Sequence, residues 1–217
     1  MPRVCPPGAV PALATLAAAC VTVGAALPTA AGAQGAPVPP WERRSAPTFA
    51  LGAAGVYASP RGSGAGRVAD GAGFEAQGML GVGPLALGVG YQRTVQPVRG
   101  AGVDATADGA FVEPRLAIAP FRNFNPYLAG RVSFLRQRVP GTARNDETRT
   151  TATALGGGLG LLVALAPNVQ LDLAALYQYV PENDEATGGA RAPLRVGGGS
   201  GALLRAGVVL GFGEWGR

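Results

Sequence analysis

From Phe49 to Phe212 the chain divides into eight stretches of about ten residues that alternate in character, joined by connections that alternate in length. The stretches run Phe49–Ser59, Gly71–Val82, Leu85–Thr94, Ala110–Ala119, Tyr127–Val139, Thr150–Leu165, Val169–Val180 and Ala202–Phe212. Short joins fall at Gly83-Pro84, Pro120–Pro126 and Ala166–Asn168. Long joins, full of Gly, Pro and charge, fall at Pro60–Asp70, Val95–Gly109, Pro140–Arg149 and Pro181–Gly201. A meander with short turns at one end and long loops at the other predicts an all-β fold, an eight-stranded antiparallel up-and-down transmembrane β-barrel.

Within the stretches the period is two, which is the strand period. One face of the seventh carries Leu171, Leu173, Ala175, Tyr177 and Tyr179, and the other carries Gln170, Asp172, Ala174 and Gln178. Leu85, Leu87, Val89 and Tyr91 likewise oppose Gly88, Gly90 and Gln92, while Leu128, Val132 and Phe134 oppose Ala129, Arg131 and Ser133. The apolar run Leu155–Ala166 is too short for a membrane helix and contains Gly156, Gly157, Gly158 and Gly160, so it reads as a strand. Reflecting strands about their turns places Glu75 opposite Gln92 and Arg115 opposite Arg131. Rings gather in two belts: Tyr57, Phe74, Tyr91, Phe134, Tyr177 and Tyr179 at the long-loop end, and Phe49, Phe121, Phe124, Tyr127, Phe212 and Trp215 at the short-turn end.

Residues 1–33 read as a signal peptide, with Arg3, an apolar run from Val10 to Leu27, and Ala31-Gly32-Ala33 as cleavage site. A Pro-rich segment, 34–48, leads into the barrel, 49–217. Both cysteines, Cys5 and Cys20, fall in the leader, so the expected mature chain has neither disulfide nor thiolate chemistry. Histidine is absent from the whole chain, and all the basic residues are Arg. No imidazole, thiolate, lysine amine or G-x-S-x-G elbow is then available to activate a nucleophile, and no P-loop lysine to hold phosphate. The expectation is no enzyme, no catalytic residue, no cofactor and no metal site. The net charge of +5 is scattered along the chain, which argues against a nucleic-acid partner.

Parity along the strands sends Glu75, Glu113 and Asp172 inward together with Arg115, Arg131 and Arg205. Eight strands leave an interior just filled by side chains, so these six are expected to neutralise one another as a lumen charge network. Arg93, Arg136 and Arg138 have outward parity at the long-loop end and are candidate lipid-phosphate contacts. Asn145-Asp146-Glu147 and Glu182-Asn183-Asp184-Glu185 lack the ligand spacing of a calcium loop and read as solvated loop tips.

Gly71–Thr94, Phe111–Arg136 with its Arg-Asn-Phe-Asn-Pro-Tyr turn, and Leu203–Phe212 resemble the small OmpA-like outer-membrane β-barrel family, over essentially all of Phe49–Phe212. The resemblance implies a bacterial outer membrane, periplasmic turns, extracellular loops, and partners in outer-membrane lipid, lipopolysaccharide included, and in the insertion machinery. Members usually end on an aromatic residue, whereas Phe212 is followed here by Gly213-Glu214-Trp215-Gly216-Arg217. The implied role is a structural envelope component or surface-loop adhesin. Alternative readings are a narrow gated channel for ions or small solutes and a soluble lipocalin-like periplasmic binder of an apolar ligand.

Overall fold

The computed structural model describes residues 48–61, 68–118, 124–140, 147–181 and 199–212. The expected signal peptide, nearly all of the Pro-rich segment, and the belt residues Phe121 and Trp215 lie outside the described residues. The strands are β1 (Thr48–Arg61), β2 (Gly71–Val82), β3 (Leu85–Pro97), β4 (Asp104–Ala117), β5 (Phe124–Pro140), β6 (Glu147–Ala166), β7 (Val169–Val180) and β8 (Gly199–Phe212). Each pairs antiparallel with the next, and β8 returns to β1 from Phe49↔Phe212 to Arg61↔Ser200, which closes the barrel. Closure pairs the backbone of every strand on both sides, the condition for crossing hydrocarbon with strands.

Local chemistry sets the turns. Gly83 has φ of 60°, so the β2–β3 hairpin uses a residue without Cβ where the strand twist demands positive φ, and Pro84 completes the turn. The β6–β7 turn at Pro167-Asn168 follows a bulge between Ala164 and Ala166.

Three expectations are corrected. Strands at the long-loop end run further than the alternation suggests: β3 reaches Pro97, β4 starts at Asp104, β6 at Glu147 and β8 at Gly199. The ladder there continues through polar residues, and alternation is silent where neither face meets hydrocarbon. The β4–β5 register differs by two residues, with Arg115 opposite Ala129 rather than Arg131. A shift of two preserves facing, so the inward set is unchanged. Pro114 interrupts this part of the ladder because it has no N–H to donate. Finally, Tyr127 is not a belt residue. It shares parity with Ala129 and Arg131 and is buried in the lumen.

The sidedness is opposite to that of a water-soluble barrel. Outside, Leu159 and Leu165 are 58% and 60% exposed, while inside Glu113 and Ser133 are 0% exposed. Ala50, Val56, Met79, Leu162, Leu176, Leu203 and Val209 fill part of the interior around the polar groups. At the long-loop end Val98, Ala105 and Val139 pack with Ala101 and Val103, and Val68 bridges Val98. The β3–β4 and β5–β6 hairpins thus stand above the apolar wall as extensions with a small core of their own.

Candidate functional site

The lumen is crossed by one connected set of side chains drawn from β2, β3, β4, β5, β7 and β8. Glu113 is its hub. Its Oε1 accepts from Arg115 Nε at 2.7 Å and Arg205 Nη2 at 3.0 Å, and its Oε2 from Arg205 Nη1 at 3.0 Å and Arg131 Nη1 at 3.2 Å. Glu75 accepts from Arg131 Nη2 and Arg205 Nη1, both at 2.9 Å. Asp172 accepts from Arg115 Nη1 at 3.2 Å and lies 3.3 Å from Arg205 Nη2. All six expected network residues are therefore brought together, each no more than 4% exposed.

Four further residues complete the layer. Tyr127 donates its hydroxyl proton to Asp172 at 2.6 Å and accepts from Arg205 Nη2 at 2.7 Å. Gln77 accepts from Arg115 at 3.0 Å and Gln92 from Arg131 at 2.6 Å. The Arg131 guanidinium lies 3.6 Å from the Phe111 ring centroid, and that of Arg115 lies 4.8 Å from the Tyr127 centroid. A search for charges alone misses these residues; parity was the signal that could have found them. Tyr127 fits because β6 has glycine beside it: a Cβ on Gly160 would overlap the phenol ring. Among the described residues no group of three His, Cys, Asp or Glu is arranged to hold a metal ion.

The network divides the lumen. Toward the long loops a cup of about 120 Å³ is lined by Ser59, Gln92, Thr94, Gln96, Gln137 and Gln178. Gln137 Oε1 and Gln178 Nε2 are buried without a protein partner, as are Asn125 Oδ1 and Gln170 Oε1 on the short-turn side. Such groups bind water when the space admits it.

Outside, Arg93 and Arg136 are exposed and Arg138 is half-buried. All three surround Asp108: the carboxylate stands opposite Arg93 on one side and Arg136 on the other, and its Oδ1 is 3.9 Å from Arg138 Nε. They belong to the outer wall and do not touch the lumen network. A separate contact ties the end of the first long loop to β1, where Tyr57 donates to Asp70 Oδ2 at 2.6 Å and Ser59 to Oδ1 at 2.9 Å. These hydrogen bonds, Tyr57's first, hold the Asp70 carboxyl below the ordinary carboxylate range.

No protein-family model matches the chain, and no curated protein does. Solved structures do. Neisserial surface protein A is similar with a TM-score of 0.58 and 22% identity, over 76% of this chain and 97% of that one. A major outer membrane protein from Thermus thermophilus is similar at 0.54 and 14%, over 77% and 100%. OprG of Pseudomonas aeruginosa is similar at 0.51 and 12%, over 78% and 97%. At these identities the likeness is one of fold.

Proposed function

We propose, from the premise that this chain has the fold of the small, OmpA-like eight-stranded outer-membrane β-barrels, that it is a non-enzymatic integral barrel of a bacterial outer membrane. Its role is to stabilise the envelope and to present its long loops at the cell surface. The observation that carries this reading is the inverted sidedness: Leu and Val cover the outer wall, and balanced charges close the lumen. A water-soluble monomer rarely exposes an apolar surface of that extent, and a lipocalin-like binder requires an apolar interior and polar exterior. A solved surface protein of the same fold supports loop display.

Arg93, Arg136 and Arg138 then sit at the level of the outer-leaflet headgroups, where guanidinium groups pair with lipid phosphate. The closed lumen is a structural plug that fixes strand register. The second reading, a narrow conduit, draws on the unpartnered carboxamides on both sides of the network, which are places for water on either side of a thin barrier.

Fractionation tests the main reading. The protein should stay with membranes in carbonate and migrate differently on gels before and after boiling. Release into the soluble fraction would sink it. Planar-bilayer recording separates plug from conduit: the plug predicts no unitary conductance, and steady unitary steps from the unmodified protein would establish the conduit instead.

A further inference from the structure

We propose that the outer wall of β3–β6 at the long-loop end is a binding site for a single phosphorylated lipid, its phosphate held by Arg93 and Arg136 and one acyl chain lying beside Phe134. The proposal rests on the reading of this wall as lipid-facing and goes beyond it in claiming a shaped site in place of general contact with headgroups.

Two rows of outward residues build the site. In the upper row Arg93, Asp108, Arg136 and Thr151 stand opposite one another in turn across β3–β6. The lower row is Tyr91, Ala110, Phe134 and Thr153. Phe134 is 58% exposed, and it is flanked by small residues on both neighbouring strands. The relief is a groove of about 530 Å³ lined by Asp108, Ala110, Phe134, Arg136, Thr151 and Thr153. The groove adjoins Arg136, and Arg93 stands across Asp108 from it.

Charge selects the occupant. One carboxylate, Asp108, faces three guanidinium groups, and its Oδ2 already accepts from the Tyr91 hydroxyl at 3.3 Å. Asp108 thereby spaces the arginines without neutralising them, so an anion with several acceptor oxygens completes the cluster. At the long-loop ends of β2 and β7 the outward residues include Phe74, Tyr177 and Tyr179, while β1 ends there on the exposed Arg61. Free phosphate would use the arginines and leave the groove unfilled, whereas bulk lipid would pair its phosphates with the arginines without depending on the groove.

Native mass spectrometry of the full mature protein in maltoside micelles, with diphosphorylated lipid A as the added probe, tests the site. We expect one retained lipid per barrel. Retention should fall about tenfold in an Arg93→Gln/Arg136→Gln variant, given the strength of charge-assisted guanidinium contacts. It should fall comparably in Ala110→Leu/Thr153→Leu, which fills the groove and keeps the charges. Boiled and unboiled gels show that each variant is folded. If filling the groove leaves retention unchanged while the arginine variant loses it, the shaped site is overturned and the headgroup reading survives. Unchanged retention in both variants overturns both. Equal displacement by millimolar inorganic phosphate would show an anion site without lipid selectivity, and overturns the proposal as well.

Discussion

Glu113 takes hydrogen bonds from all three lumen arginines, so its loss leaves three buried cations facing two carboxylates. Breaking such a cluster from one side costs about 3–5 kcal/mol, because the orphaned charge stays in a low-dielectric interior. Glu113→Ala should therefore lower the unfolding free energy of the barrel, from urea titration in lipid vesicles, by an amount in that range. Removing one charge of each sign, as in Glu75→Met/Arg131→Met, should cost much less than the sum of its single changes. Additivity in that cycle would mean that the groups do not act as a network. Tyr127 offers a steric counterpart. Gly160→Ala drives a methyl into the phenol ring and should destabilise by about 1–3 kcal/mol. It should also weaken the Tyr127 bridge between Asp172 and Arg205. An unchanged urea midpoint for Gly160→Ala would show that the ring moves aside freely.

At the scale of strands and hairpins, the apolar-wall portions were legible because hydrocarbon on one side imposes strict alternation. The β2 and β7 limits follow from that pattern alone, and the turn residues Gly83 and Pro84 mark the join between β2 and β3. The upper hairpins were not legible: from Asp104 to Gly109 in β4 Asp and Thr alternate with Ala and Gly, a period of two that lacks the large apolar residues marking the wall below. The six lumen charges could be read from parity, whereas their partners Gln77, Gln92 and Tyr127 have ordinary side chains whose role depends on which strands meet across the lumen. Arg93, Arg136 and Arg138 were visible as outward cations. Asp108 was not, since its place between two of them requires the register of three strands.

The clasp between Asp70 and β1 belongs to the same scale. Its folded pKa is depressed by the bonds from Tyr57 and Ser59, so its contribution is fully present above the unfolded value, about 3.9. The contribution is lost as pH falls through the lower folded value. The end of the first long loop should accordingly stay clasped across neutral and mildly acidic conditions and loosen only below about pH 4. Hydrogen exchange at the Ala69 amide, which bonds the Pro97 carbonyl at 2.8 Å, reports this. Asp70→Asn should raise exchange at neutral pH and flatten the acid response. An acid response that persists unchanged in that variant would place the titrating group elsewhere.

For the molecule as a whole, the decisive property is which solvent each wall was built for, and it can be measured as a depth profile. Leu159 lies on the outer wall midway between the turns and the loops, 58% exposed, while Val95 faces outward near the long-loop end at 37%. If hydrocarbon surrounds the barrel, an arginine at Leu159 must thin the bilayer or drag water inward, which costs about 2–4 kcal/mol at the midplane. The same change at Val95 can reach headgroups and should cost about 0–1 kcal/mol. Folding of the two variants into phosphatidylcholine vesicles should differ accordingly, with Leu159→Arg shifted strongly in urea midpoint and Val95→Arg close to the parent. A barrel built for water predicts the reverse sense at both sites, since replacing exposed Leu or Val by Arg removes apolar surface from solvent. Equal effects at the two depths would therefore remove the physical basis for placing this barrel in a membrane, whatever its similarity in fold.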